Sequence, residues 1–433
     1  MTTTEPSPVV SAGPAGKRGV APNGAGRWAW TLPFLGPAFV AAVAYVDPGN
    51  FATNFSGGAS FGYRLLWVIV AANLMAMLIQ SLTAKLGAAT GQDLATLCRK
   101  NLRRPVVWGL WVQAEGVAIA TDIAEIVGGA VALNLLFNVP LPVGGAITSV
   151  VAFMLLTAQG RGHRPFELVI GGLLLIIAAG FGYTLVFAGA DPVALTAGLV
   201  PGFAGTESVL LATGILGATV MPHVIYVHSA LTPKRYALST GSLASMGLPE
   251  RRRVLRTQRL DVLIAMGAAG LVNATMLTIA AALFFDSDVA ADGLEQVHAG
   301  LGLVVGGASS FAFAVALLAS GLAASAVGTY AGQVVMAGFL RRRIPIFVRR
   351  LITAIPAIAI LAFGADPTMA LVVSQVVLSF GIPFALIPLV WFTSRSDIMG
   401  EWVNRPITTV AASAVAGLII CLNAYLLVTL LRN

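Results

Sequence analysis

Apolar residues run through this chain from Trp28 to Leu431 in stretches of about twenty, the length that crosses a hydrocarbon layer. Run lengths, and the glycines, prolines and charges between them, predict eleven helices at approximately 29–57, 64–90, 105–137, 143–158, 165–188, 207–231, 260–285, 307–340, 345–364, 368–393 and 404–431. Two of these runs carry short polar interruptions near their middles: Asp47-Pro48-Gly49-Asn50 in the first and Met221-Pro222-His223 in the sixth. Proline donates no backbone hydrogen bond and clashes with a continuing helix. Backbone groups freed by such a break are tolerable at membrane depth only against protein or a water-lined cavity. The two breaks therefore predict a substrate site near the membrane midplane.

Composition agrees with the pattern. Of 433 residues, 57% are hydrophobic and 10% charged, against roughly 25% charged in soluble domains. The chain reads as an all-α polytopic membrane protein, with the lipid bilayer as its first partner. Residues 1–26 are rich in Pro, Gly and Ser and lack an apolar core segment, so they read as a disordered cytoplasmic tail rather than a cleaved signal peptide. Cys98 and Cys421 lie far apart and form neither a pair nor a metal motif, so both read as packing residues.

The net charge of +8 is sorted by loop. Lys17, Arg18 and Arg27 precede the first span; Arg99, Lys100, Arg103 and Arg104 follow the second, and Arg161 and Arg164 the fourth. Lys234, Arg235, Arg251, Arg252, Arg253, Arg256 and Arg259 follow the sixth span and Arg341, Arg342 and Arg343 the eighth, while Arg395 and Arg405 bracket the tenth loop. The intervening loops are neutral or acidic, notably at Asp286, Asp288, Asp292 and Glu295. Cytoplasmic loops carry the Lys/Arg excess, which puts the N-terminus inside and, with an odd number of spans, the C-terminus outside. Positive charge spent on topology excludes nucleic acid as a partner.

The two breaks are five spans apart, an odd offset, so their helices enter the membrane in opposite directions. Interrupted helices in corresponding positions of two halves mark an inverted repeat with the binding site between them. Helices one to five (27–188) and six to ten (207–393) form the expected repeats, and helix eleven (404–433) is expected to be peripheral.

The side chains at the breaks are a carboxylate, a carboxamide, a thioether and an imidazole, all metal ligands. A carboxylate at the bilayer centre is expensive and usually faces a cavity, so Asp47 leads the candidates; capping the second half-helix is its structural alternative. Asn50, one helical turn on, adds a carbonyl oxygen. The breaks also free the carbonyls of Ala44, or a neighbour, and of Ala218. Met221 is a soft ligand, suited to transition metals and of little use to Mg²⁺ or Ca²⁺. The third span adds Glu115, Asp122 and Glu125, expected to be buried, with Asp122 and Glu125 sharing a face at i, i+3. Their candidate partners are Arg349, Arg350, His223 and His228. Histidine changes charge between pH 5 and 8, so these groups read either as a proton relay or as a static network of ion pairs.

These residues carry a resemblance. Asp47-Pro48-Gly49-Asn50, Ala218-Thr219-Val220-Met221-Pro222-His223 and the stretch from Ala84 to Leu94 resemble signature segments of the Nramp divalent-metal transporters, in particular the bacterial proton-coupled manganese/iron type. The resemblance extends through essentially all helices. It implies a LeuT-like fold of ten core helices in two inverted repeats. It also implies a bacterial inner-membrane monomer that imports Mn²⁺ first, then Fe²⁺, with Co²⁺, Cd²⁺ and Zn²⁺ accepted to varying degrees. Transport would be coupled to protons by alternating access. No cofactor is expected, since metal and proton are both transported substrates. As metal ligands the resemblance implies Asp47, Asn50, Met221 and the Ala44 and Ala218 carbonyls. Gln375 would join in some conformations, an interhelical hydrogen bond being its competing role. It implies that Asp47 receives the proton along a route lined by His223, Glu125, Asp122 and Arg350; Arg349, Glu115 and His228 are further candidates. Family members that carry magnesium lack the methionine, which this chain keeps.

Rival readings are a sodium-coupled amino-acid transporter of the same fold, an intramembrane enzyme, and an uncoupled metal uniporter or channel. The first uses small residues at its breaks, which Asp47 and Met221 oppose. The second lacks a His-Glu-x-x-His motif and a plausible nucleophile beside its carboxylates. The third stays open, because stoichiometry depends on relative rates. Among lesser features, Asn73, Gln80 and Asn273 are expected to hydrogen-bond between helices, and Ser320, Gly321, Ala324 and Ser325 to allow close packing. His163 and His298 are expected in surface loops, and the Asn54-Phe55-Ser56 sequon carries no weight.

Overall fold

The computed structural model describes residues 36–159, 163–240, 246–289, 291, 293–341 and 345–432; the side chains of 155–159, 163–168, 235–240, 346, 347, 349, 350, 430 and 432 lie outside that description. Within it the chain is helical, with no strand among the described residues. The α-helices are α1 (Pro37–Ala44), α2 (Pro48–Phe61), α3 (Leu66–Thr90), α4 (Leu94–Asn101), α5 (Arg104–Phe137), α6 (Leu141–Gln159), α7 (His163–Ala188), α8 (Pro192–Ala197), α9 (Gly205–Thr219), α10 (Pro222–Thr240), α11 (Leu248–Phe284), α12 (Leu294–Val304), α13 (Gly307–Leu340), α14 (Ile346–Ala362), α15 (Pro367–Thr393), α16 (Ser396–Met399) and α17 (Pro406–Arg432).

Local chemistry sets the ends. Aspartates cap four helices by accepting a backbone N–H at 2.8 Å: Asp47 on α2, Asp93 on α4, Asp191 on α8 and Asp366 on α15. Pro48, Pro192 and Pro367 follow their caps at the first helical position, where a missing N–H costs nothing. Gly91 and Asn138 end α3 and α5 in the left-handed conformation, at φ 66° and 55°.

The first and sixth spans are indeed discontinuous, as α1/α2 and α9/α10. These four segments form the centre. Of the most apolar part of 205–234, 94% is buried, against 28% for the corresponding part of α17; a helix apolar all round belongs in the interior. Helix α2 packs on α11 and α9, α10 on α3 and α13, and α15 reaches both α2 and α9. Phe51 and Phe55 of α2 meet Phe181 of α7 and Phe313 of α13 edge-on, with centroids 5.1 Å (51–181) and 5.2 Å (55–313) apart, a geometry aromatic rings favour. Ser320 and Gly321 let α13 approach α5 so closely that a Cβ at Gly321 would lie 3.2 Å from the Gly129 nitrogen.

The spans differ from expectation mainly in their polar extensions. Helix α11 begins twelve residues before the expected 260, carrying the Arg251–Arg259 run on its first turns. A run-length criterion ends where charge begins, whereas a helix continues into water. Short helices α4, α8, α12 and α16 occupy expected loops. His298 is accordingly half-buried on α12, with its ring 6.4 Å from Phe313, and not a loop surface residue. His163 opens α7. Glu115 is half-buried rather than buried, because it lies on the flank of α5 between the buried face of Leu110, Ala114 and Val117 and the exposed face of Val112 and Gly116. Residues 1–26, read as a tail, and 27–35 lie outside the described residues.

Candidate metal site

The two prolines act by the same arithmetic. In an α-helix the carbonyl of residue i accepts from the amide of i+4. The partner of Ala44 would be residue 48 and that of Ala218 residue 222, and both are proline. Each break therefore strips the intrahelical donor from one buried alanine carbonyl.

The other carbonyls of the first break are provided for. Asn273 of α11 donates its Nδ2 to the Tyr45 carbonyl at 2.8 Å, and Ser320 of α13 donates its hydroxyl to the Val46 carbonyl at 2.6 Å. Asn54 in turn donates to Asn273 Oδ1 at 2.8 Å. Asp47 and Asn50 form a reciprocal cap: Asp47 Oδ1 accepts the Asn50 N–H at 2.8 Å, and Asn50 Oδ1 accepts the Asp47 N–H at 3.2 Å. Each of these oxygens keeps a second lone pair. Asp47 is therefore a helix cap, as its structural reading held, with its other oxygen directed elsewhere. That oxygen, Oδ2, accepts from Gln375 Nε2 at 3.4 Å.

Gln375 sits where α15 crosses both breaks. A Cβ on Gly49 would overlap its carboxamide, and a Cβ on Gly217 would overlap its backbone carbonyl. Asp47, Asn50, Met221 and Gln375 are all fully buried. Buried polar atoms almost always find a partner. Among the described residues, however, Asn50 Nδ2, Gln375 Oε1, Thr219 Oγ1 and His223 Nε2 have none. Three belong to the breaks or their immediate flanks, and Gln375 crosses them from α15. No three of His, Cys, Asp and Glu cluster with metal-holding geometry among the described residues, so a cation held here must draw on neutral donors.

Glycines also seat the prolines. Pro48 rests on Gly128 of α5, where a Cβ would overlap its ring, and Pro222 lies over Gly381 of α15. Gly128→Ala should therefore displace the first break, at an overpacking cost of about 1–3 kcal/mol, lowering the melting temperature and Mn²⁺ affinity together. Gly116→Ala on the same helix, with open space around it, is the matched control. Equal melting curves and affinities for the two variants would mean that the contact does not shape the site.

The remaining candidates divide into two places. His223 Nδ1 lies 3.3 Å from Thr121 Oγ1, within electrostatic range of Asp122. Glu125 of the same helix lies against Gly328 of α13, and both carboxylates are buried. His228, five residues on and so roughly 140° around α10, faces α3 instead. Its Nδ1 lies 2.7 Å from Gln80 Oε1, and Gln80 Nε2 donates to the Tyr45 hydroxyl. Glu115 lies two turns from Asp122, away from both. The side chains of Arg349 and Arg350 are outside the described residues. Sequence reasoning missed Tyr45, Thr219 and the glycine seats, and read Ser320 only as small; only a polar residue's proximity to a motif could have flagged them.

The two ends of the bundle differ. At the end bearing the acidic loops, a cavity of about 490 Å³ is lined by Glu207, Asp288, Asp366, Ser56 and Ser60, with Val372 on its wall. Gln375 lies one turn deeper along α15. At the end bearing the basic loops α1 is tied to α11. The Asp261 carboxylate of α11 accepts the Gly36 N–H at 3.2 Å and the Ala38 N–H at 3.0 Å.

The family model described as natural resistance-associated macrophage protein-like (Nramp) matches residues 38–429. The divalent metal cation transporter MntH of Deinococcus radiodurans is 52% identical over 401 residues, covering 92% of this chain and 90% of that one. The MntH of Bacillus subtilis is 50% identical, with 93% of each chain covered. Among solved structures, the manganese transporter of Eremococcus coleocola superposes with a TM-score of 0.82 at 31% identity, over 93% of this chain and 87% of that one. Mhp1, a nucleobase–cation symporter, superposes at 0.57 with 14% identity, over 92% and 91% of the chains, a likeness of fold alone.

Proposed function

The chain belongs to the Nramp family, and on that premise we propose that its two broken helices bind a divalent transition metal and carry it inward by alternating access. It is a multi-pass membrane transporter of divalent metal cations. The finer reading is Mn²⁺ as first cargo, then Fe²⁺, with Co²⁺, Cd²⁺ and Zn²⁺ accepted less uniformly. The ligands are Asp47, Asn50, Met221, the Ala44 and Ala218 carbonyls and, state by state, Gln375. The observation that carries this reading is the coincidence, at both breaks, of a carbonyl robbed of its donor by proline with a buried side chain of metal-binding type.

The acidic cavity is the outward vestibule, where carboxylates raise the local cation concentration, and the Asp261 latch on α1 closes the inward side. The excess of Lys and Arg in alternate loops supports this orientation, with the N-terminus inside a bacterial inner membrane as the reading proposed. Two positive charges moving inward gain about 2.3 kcal/mol each per 100 mV of inside-negative potential. Protons are the co-substrate. Asp47 receives one, and His223 and Asp122 at the α5–α10 contact, Glu125 at the α5–α13 contact, and Arg350 and Arg349 line its way inward. His228 and Glu115, set apart from that contact, take secondary places; His228 with Gln80 and Tyr45 ties α10 and α3 to the first break.

The coupled reading is tested by recording Mn²⁺ uptake and interior pH together in proteoliposomes. Acidification that starts with Mn²⁺ and vanishes in Glu125→Gln is expected. Mn²⁺ uptake with a flat interior pH would make the protein a uniporter.

A further inference from the structure

Helix α17 lies outside the two expected repeats, yet it reaches the site through a carbonyl that has lost its partner. Pro383 lies inside α15, so the Ser379 carbonyl four residues earlier has no intrahelical donor. Asn423 of α17 supplies one: its Nδ2 donates to the Ser379 carbonyl at 2.9 Å, and its Oδ1 accepts the Ser379 hydroxyl at 2.8 Å. Both residues are buried. A carboxamide that meets its neighbour's backbone and side chain at once holds it in register as well as in place. The turn it holds begins at Gln375. On its other side that turn bears on Gly217 of α9, where a Cβ would overlap the Gln375 carbonyl and lie 2.9 Å from the Ser379 nitrogen. The last intact turn of α15 before its proline is thus clamped between α9 and α17, with Gln375 aimed at Asp47.

We propose that Asn423 is a positioning residue for the metal site: by satisfying the carbonyl that Pro383 strands, it fixes the turn of α15 that presents Gln375 to Asp47. This rests on the reading that Gln375 faces the transported metal. A buried carbonyl that loses its donor is costly to leave unpaired, so the turn is expected to move, and the expected effect on the site is about tenfold in affinity.

The test is the kinetics of Mn²⁺ uptake into proteoliposomes. Asn423→Leu should raise KM about tenfold with little change in maximal rate. Ser379→Ala, which removes the hydroxyl but spares the carbonyl bond, should keep the wild-type KM. Because Asn423 acts through Gln375, adding Asn423→Leu to Gln375→Ala should raise KM no further. A wild-type KM in Asn423→Leu, a full further increase on the Gln375→Ala background, or a raised KM in Ser379→Ala would each overturn the assignment. A wild-type KM in Gln375→Ala alone would instead remove Gln375 from the site. Where Asn423→Leu folds poorly, Asn423→Leu/Pro383→Ala restores an amide at residue 383. Recovery of folding with a near wild-type KM supports the assignment, and a folded double variant with a KM raised tenfold contradicts it.

Discussion

Asp47→Ala should abolish Mn²⁺ uptake, a loss of at least about a hundredfold, since changing even an outer-shell partner of a metal ligand costs 10–100-fold. Asp47 does two things at once. Its Oδ1 caps α2 through the Asn50 N–H at 2.8 Å, and its charge is the only one among the five constant ligands proposed. Alanine removes both and so confounds them. Asp47→Asn keeps a carbonyl oxygen for the cap while deleting the charge. It should melt like the wild type and be as inactive as the alanine variant. If the asparagine variant transports normally, the charge is not needed and Asp47 is only a cap.

Met221→Ala should change what is carried more than how much. A thioether favours soft and borderline ions and adds little for hard ones, which prefer all-oxygen shells. Its loss should leave Mn²⁺ uptake within about tenfold, weaken Cd²⁺ most, and let Ca²⁺ or Mg²⁺ compete where they did not before. Met221 is fully buried, so truncation also opens a cavity, worth about 2–5 kcal/mol of stability for such a change. Met221→Leu fills that space without sulfur and separates the two effects. Uptake competition by Ca²⁺ is the readout; unchanged selectivity in both variants would refute the softness argument.

The positions of the breaks were legible because proline is unambiguous. Pro48 and Pro222 remove specific hydrogen bonds wherever they sit in a helix. Asp47 and Met221 stand out against apolar neighbours, so their burial at the breaks was legible too. Each of the eleven expected runs falls on a helix or a broken helix of the structure. What the chain did not disclose is how the remaining break carbonyls are satisfied. Asn273 and Ser320 come from helices more than 200 residues away, and nothing in their local pattern says which carbonyl they serve. The separation of His223 from His228 depends on the rotation of α10 against α5 and α3, which a list of titratable residues does not contain. Glu115 was misjudged because position in the span was taken for burial; it lies on the flank of the buried face of α5. Asn423 escaped notice because a helix outside the repeats was expected to matter little.

The account stands most directly on where the metal rests. Crystals of the purified protein grown with Mn²⁺, with diffraction recorded at the manganese absorption edge, should give an anomalous peak between the two breaks. That peak should lie within coordinating distance of an Asp47 carboxylate oxygen and the Met221 sulfur. A peak confined to the Glu207, Asp288 and Asp366 vestibule, with none between the breaks, in protein that still transports Mn²⁺, would contradict it.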